Sequence, residues 1–330
     1  MTTTLDGAVR GPAAPVLAGG PLPADRWPAR PDGRPHPGPA PVADRPGGAW
    51  APYSPCGPEC LPAAADLPRA SRLRTGLRTA GLLGLLLGVA ALAPLLPLVG
   101  RRARARWLRR VFRGVLLAAG VRLRATGAAT VQQGAALVVA NHLSWIDVLV
   151  LGAVQPVRML AKREVRDWPV IGAIAARTGA LFVDRAGLRT LPATIADVAA
   201  ALRAGDTVGV FPEGTTWCGA ASGPFRRAPF QAAIDAGAPV RPVAITLRLP
   251  GGRATTTGAF VGDQTLWDSL HRVLRLPALV CELTVLPDIV AVGADRRALA
   301  AAAQRAVASA TGVVPAGQPA PVRPAPRVAA

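Results

Sequence analysis

Two residues near the middle of the chain have the types and spacing for acid–base chemistry. His142 and Asp147 lie five positions apart in "VVANHLSWIDVLVL", residues 138–151, a run that is otherwise mostly apolar. An imidazole can carry a proton near neutral pH, and a carboxylate can orient it. On one regular helix, five positions turn the chain through about 500°, so the two side chains would not share a face. They meet if His142 stands in the turn before a helix and Asp147 in its first turns. The carboxylate then accepts a hydrogen bond from one ring nitrogen and makes the other a better base. Such a pair resembles a catalytic triad without its nucleophile. Ser144 is too local for that part and the chain has no G-x-S-x-G elbow, so the attacking hydroxyl can belong to a substrate. The plainer alternative is a capping asparagine beside a partly buried His–Asp pair.

The elements that must position the pair follow from hydrophobic period. Apolar, β-branched runs predict strands at Ala136–Ala140, Val157–Ala161, Ala180–Val183, Thr207–Phe211, Val240–Leu247, Gly258–Val261 and Leu279–Leu286. Helical patterns fall between them at Trp145–Val154, Glu164–Arg177, Leu191–Ala204, Ala228–Ala236 and Leu266–Leu274, with a last one from about Asp295 to Ala310. Strands alternating with helices of this length predict an α/β fold, a mixed and largely parallel sheet flanked by helices. In such folds, sites gather where strands end and helices begin. His142 is at one such junction.

Three more polar islands fall at predicted junctions. "GALFVDR", Gly179–Arg185, brings Arg185 to a strand end, where a guanidinium can fork onto a phosphate or remain an exposed arginine. "FPEGTTW", Phe211–Trp217, puts Glu213 and Gly214 in a tight turn and adds the hydroxyls of Thr215 and Thr216. A carboxylate there can orient a substrate hydroxyl, glycine lets the backbone come close, and an ordinary Pro-Glu-Gly turn is the alternative. "VRPVAI", Val240–Ile245, reads as mostly structural. Lys162, the sole lysine of the chain, also stands just after a strand and is a candidate anion contact.

The chain carries a net charge of +19, nearly all from arginine, which favours anionic partners. The position of the charge selects among them. Thr79–Gly100 is 22 residues without a charge, long enough to cross a bilayer, and arginines crowd both of its flanks. That points to a membrane surface. No zinc-finger, helix-turn-helix or ribonucleoprotein motif points to nucleic acid. Pro94 and Pro97 would kink or break a helix, so a clean span and a re-entrant or interfacial hairpin both stand, with Trp107–Leu123 as the second arm. The heavier basic cluster follows the segment, which places the rest of the chain on the cytoplasmic side of a bacterial cell membrane. The domains expected are a disordered Pro/Ala/Gly-rich extension at 1–68, a membrane-anchoring segment at 69–125, a catalytic domain at 126–312 and a disordered tail at 313–330. The four cysteines form no metal-type quartet. Cys56 and Cys60 are spaced C-x3-C with no histidine or second cysteine pair near them in sequence, so no metal is expected.

Together the islands resemble the lysophospholipid acyltransferase family typified by 1-acylglycerol-3-phosphate acyltransferase. The family's H-x4-D motif matches His142–Asp147, its G-x-x-F-[IV]-x-R block Gly179–Arg185, its F-P-E-G-T block Phe211–Thr215 and its V-x-P-V block Val240–Val243, over about residues 76–290. The resemblance implies transfer of an acyl group from acyl-CoA or acyl carrier protein to the hydroxyl of a lysolipid, with no bound cofactor or metal. His142 would be the general base and Asp147 its orienting partner. Arg185, Glu213, Gly214, Thr215 and Thr216, with Lys162, would meet the acceptor headgroup. The expected acceptor is 1-acyl-sn-glycerol-3-phosphate, giving phosphatidic acid. One departure bears on it. The family usually continues F-P-E-G-T with arginine and serine, and here Thr216 and Trp217 take those places. F-P-E-G-T-T looks more like the branch that includes lyso-ornithine lipid acyltransferases, while Arg226 and Arg227 can supply charge from the next loop. A non-catalytic membrane-binding protein of the same fold is the remaining alternative.

Overall fold

A computed structural model describes residues 52–127, 134–168, 171–177, 179–184 and 188–315. Arg185, the first 51 residues of the expected extension and residues 316–330 of the expected tail lie outside them. Seven strands form one sheet: β1 (Val121–Gly127), β2 (Ala136–Ala140), β3 (Arg158–Lys162), β4 (Leu181–Val183), β5 (Thr207–Val210), β6 (Val240–Arg248) and β7 (Leu279–Val285). Their order across the sheet is β1-β7-β6-β2-β5-β3-β4. Every neighbouring pair is parallel except β6 with β7. Eight helices accompany them: α1 (Arg72–Leu92), α2 (Arg101–Ala118), α3 (Trp145–Val154), α4 (Ile171–Arg177), α5 (Leu191–Arg203), α6 (Ala228–Ala236), α7 (Leu266–Leu274) and α8 (Arg296–Thr311). The mixed, largely parallel sheet flanked by helices is the architecture the sequence predicts.

The alternation of side chains along β2 shows why the sheet is covered on both faces. Val138 and Ala140 join one apolar cluster, with Leu116 of α2, Ile146 and Val150 of α3 and Leu274 of α7. Leu137 and Val139 point the other way, into a cluster with Val198 of α5, Phe230 of α6 and Leu299 of α8. All five residues of β2 are fully buried, so the residue that follows them is held by the core of the molecule.

Several elements differ from expectation. Gly258–Val261 is not a strand. The Thr255 and Thr257 hydroxyls bond each other, and the Ala259 N–H turns back to the Thr256 carbonyl, which curls the backbone away from a ladder. The seventh strand is β1, whose V-R-L-R alternation carries the period of two but was assigned to a second membrane arm. The sheet therefore begins at Val121 rather than near residue 126, and the arm is α2, which ends at Ala118. The predicted helix Glu164–Arg177 is divided into a 3-10 turn at Arg163–Asp167 and α4. Residues 52–68 lie within the expected disordered extension, yet Cys56 and Cys60 are buried there against Trp217, Cys218 and Val261.

Helix α1 begins at Arg72, capped by Ser71, and stops at Leu92, two residues before Pro94; a 3-10 stretch then runs Ala93–Leu98. The stretch Arg72–Leu95 is 24 residues long and apolar enough to cross a membrane, and only 17% of its most apolar window is covered by protein. Leu73, Leu77, Leu83 and Leu87 are exposed. Its beginning is nevertheless fastened to the domain. Arg78 donates to the carbonyls of Leu274, Leu276 and Pro277 at 2.6–3.1 Å. Helices α1 and α2 make a hairpin, and α2 packs on α3 beneath the strand junctions.

Candidate active site

The site is built at the carboxyl ends of β2 and β5. His142 stands in the turn after β2, and Asp147 is the third residue of α3, whose N-cap is Ser144. Ser144 accepts from the Ile146 N–H at 3.1 Å, while Asp147 accepts from the Ser144 N–H in return at 2.8 Å. This capping box locks the first turn of α3. The same Asp147 Oδ2 accepts from the Leu143 N–H at 2.5 Å and lies 2.8 Å from His142 Nδ1. One buried carboxylate oxygen thus starts a helix, shapes a turn and orients an imidazole. With Nδ1 facing the carboxylate, that nitrogen carries the proton, and Nε2 is the nitrogen that can accept one. The imidazole side chain is 16% exposed, and Phe211 stacks on it with ring centroids 3.9 Å apart.

Glu213 holds this arrangement from behind. It is buried, its Oε2 accepts from the His142 N–H at 2.6 Å and its Oε1 from the Gly223 N–H at 2.9 Å. Burial pushes its carboxyl up to about 8, against the pull of those two amide bonds. Both oxygens accept from backbone, so Glu213 clamps the His142 turn. Gly214, at φ +78°, makes the turn that returns the chain, and its N–H bonds the Phe211 carbonyl. A Cβ at this position would lie 3.3 Å from Arg226 Nε, so that arginine borders the turn.

Thr216 turns its hydroxyl to the Phe260 carbonyl at 2.5 Å, and the Phe260 N–H reaches the Leu143 carbonyl at 2.8 Å. The Trp217 N–H donates to the His142 carbonyl, also at 2.8 Å. Phe260 therefore bridges the first and third islands through its backbone. Nothing in its side chain could have announced this. Asn141 does similar work toward the fourth island: its amide donates to the Ile245 carbonyl at 2.9 Å and accepts from the Ile245 N–H at 2.8 Å. The asparagine is a strand clasp, and the cap is Ser144. Thr215 is half-buried in the same turn.

The remaining candidates lie farther along the sheet. Lys162 ends β3, two strands or about 10 Å from β2. Its ammonium is 5.5 Å from the centre of the Trp168 ring. A cavity of about 940 Å³ adjoins the junction, with Asn141, Leu143, Glu213 and Ile245 in its wall. His142 does not line it.

Comparison with known proteins agrees with this geometry. The Acyltransferase family model matches residues 122–246. The chain is 37% identical over 251 residues to a lyso-ornithine lipid O-acyltransferase of Pseudomonas aeruginosa, covering 72% of this chain and 93% of that protein. It is 35% identical over 180 residues to a 1-acyl-sn-glycerol-3-phosphate acyltransferase of Neisseria meningitidis, covering 54% of this chain and 69% of that protein. The crystal structure of the 1-acyl-sn-glycerophosphate (LPA) acyltransferase PlsC from Thermotoga maritima superposes with a TM-score of 0.54 over 72% of this chain and 96% of that one; at 16% identity it speaks for the fold. The blocks carried by β2, β5 and β6, the sheet that holds them and the near full-length relative agree: the chain belongs to the Acyltransferase family and is an acyltransferase.

Proposed function

We propose that the protein is a membrane-associated O-acyltransferase that moves a fatty acyl group from acyl-CoA or acyl carrier protein to the hydroxyl of a lysolipid. The observation that carries the reading is the His142–Asp147 pair at 2.8 Å, with the carboxylate buried and the imidazole partly open. Nε2 of His142 takes the proton from the acceptor hydroxyl as its oxygen attacks the thioester carbonyl. The carbon–sulfur bond breaks, and the imidazolium returns the proton to the departing thiolate. Asp147 stabilises the imidazolium between these steps. The nucleophile comes with the acceptor, so no acyl-enzyme forms. Neither step calls on a metal or a bound cofactor.

The first reading of the acceptor is 1-acyl-sn-glycerol-3-phosphate, giving phosphatidic acid for phospholipid biosynthesis. Arg226 beside Gly214 supports it, since it brings a guanidinium to the turn. A second reading, lyso-ornithine lipid, is supported by Thr216, whose hydroxyl is turned to the Phe260 carbonyl where the phosphate reading wants a cation. The Pseudomonas relative supports it too. Purified protein given labelled acyl-CoA or acyl carrier protein with a panel of lysolipids separates the two. Transfer should occur and should vanish in His142→Ala. Lipid binding without transfer to any acceptor would overturn the enzyme reading in favour of a membrane-binding protein. Thr216→Arg should shift the preference toward the phosphate-bearing acceptor.

For membrane association the support is the exposed leucine face of α1. Arg78, which fastens the beginning of α1 to the domain, favours a hairpin lying in the interface; the heavier arginine cluster after the apolar segment favours the cytoplasmic side for the catalytic domain. Leu83→Asp with Leu87→Asp should move the protein out of the membrane fraction. Unchanged partition would remove α1 from the anchor.

A further inference from the structure

Three cysteines that are far apart in sequence meet beside the active-site turn. Cys56 and Cys60 come from the segment before α1, and Cys218 follows Trp217, the residue whose N–H holds the His142 carbonyl. Their three sulfurs lie within 4.8 Å of one another, and all three residues are at most 4% exposed. All three are thiols rather than disulfides. A 3-10 turn at Pro58–Cys60, closed by the Cys60 N–H on the Gly57 carbonyl, brings the C-x3-C pair to one side.

From this geometry we infer a structural metal site, in which Cys56, Cys60 and Cys218 bind one zinc ion as thiolates. Thiolate ligands about 2.3 Å from a tetrahedral zinc stand about 3.8 Å apart, so the sulfurs need close only slightly on an ion. Soft sulfur donors select zinc over the hard cations magnesium and calcium. The Cys218 N–H already points at Cys56 Sγ at 3.3 Å, and Ala221, Ala259 and Val261 close an apolar shell around the cluster. The three sulfurs leave one position of a tetrahedral ion open. C-x3-C has no cysteine or histidine neighbour in sequence; the fold supplies the third ligand from 158 residues beyond Cys60. The ion would pin residues 56–60 to the loop carrying Glu213 and Thr216, so its binding energy would stabilise the fold at the catalytic turn.

The test uses the full-length protein in detergent. After dialysis against zinc and removal of the excess, elemental analysis should find about one zinc per chain. Cobalt in its place should give a sulfur-to-cobalt charge-transfer band. Cys218→Ser should lose both signals, and Cys281→Ser, buried in the core away from the cluster, should keep both. Stripping the ion with a chelator should lower the Tm and open the three cysteines to alkylation. Absence of zinc and of the cobalt band in the wild type would overturn the site. So would a disulfide among the three residues, or zinc retained by Cys218→Ser. If that variant fails to fold, the cobalt spectrum and alkylation of the wild type still decide.

Discussion

At the ends of β2 and β5 the polar groups of the site are held by backbone; at the ends of β3 and β4 they stand on long side chains near solvent. Asp147 is fully buried and uses one oxygen for two amides and the imidazole. Glu213 is buried and uses both oxygens on amides. Lys162, by contrast, is half-buried with its ammonium over the Trp168 ring, and the nearby Arg163–Asp184 pair spans 4.0 Å with the arginine 72% exposed. The first region is fixed by its own hydrogen bonds, and the second stands more open to solvent. Preorganised groups act on the transition state, whereas flexible charges act on binding. Substitutions in the first should therefore lower kcat, and those in the second should raise KM.

The largest break in that contrast is His142→Ala. Removal of a general base should lower kcat by about 10² or more, with KM little changed. Steady-state kinetics with a lysolipid acceptor measures it, and full activity would end the mechanism. Asp147→Asn should come next. An amide oxygen can still accept from the Leu143 and Ser144 N–H groups, so the helix start survives. A neutral amide cannot balance an imidazolium, so kcat should fall by about 10². Asp147→Ala should add a loss of stability, because three donors then lose one buried acceptor. A thermal melt of the two variants separates the chemical part from the structural one.

The contrast also shows what could be read from sequence. The His–Asp pair was legible because its geometry is local: a turn, a cap and one helical turn within six residues. The sheet was legible because buried parallel strands are apolar runs. Strand β1 was lost because V-R-L-R beside an arginine-rich helix reads as more of the same basic face. Gly258–Val261 was taken for a strand because its composition suits one, while hydroxyl bonds from Thr255 and Thr257 decide otherwise. The clamp made by Glu213 is not legible, because sequence shows a carboxylate but not its partners. Those partners are the amides of His142 and Gly223, 71 and 10 residues away. Such partners exist only after folding, as does the meeting of Cys218 with the Cys56–Cys60 pair.

Glu213 gives the next effect, and it can be read two ways. Its carboxyl is raised to about 8 in the folded protein, from an ordinary value of 4.5. The folded state thus holds a proton that the unfolded state has released between those values. The contribution of Glu213 to stability should be full below about pH 4.5, fall as pH rises to about 8 and level off above, by an amount on the order of a few kcal/mol. The Tm of Glu213→Gln, which cannot titrate, should lack this fall. The variant also turns an amide donor toward one of the two backbone N–H groups. The His142 turn should loosen, and kcat should drop about tenfold. A pH-independent Tm in the wild type would mean that the two amides outweigh burial and keep Glu213 ionised.

Lys162→Met should have the smallest effect and sharpens the contrast most. Methionine keeps an unbranched side chain of similar size but removes the charge and its contact with the Trp168 ring. An ion pair between a substrate phosphate and a partly exposed ammonium is worth about 0.2–1 kcal/mol, so KM should rise about 1.4- to fivefold with kcat unchanged. The rise should shrink in high salt, which screens the charge already. It should also depend on the acceptor: present for one that bears a phosphate, absent for one that does not. A fall in kcat comparable to that of Asp147→Asn would instead make β3 part of the preorganised region. The boundary between chemistry and recognition would then lie at β4, beyond Lys162, and not between β5 and β3.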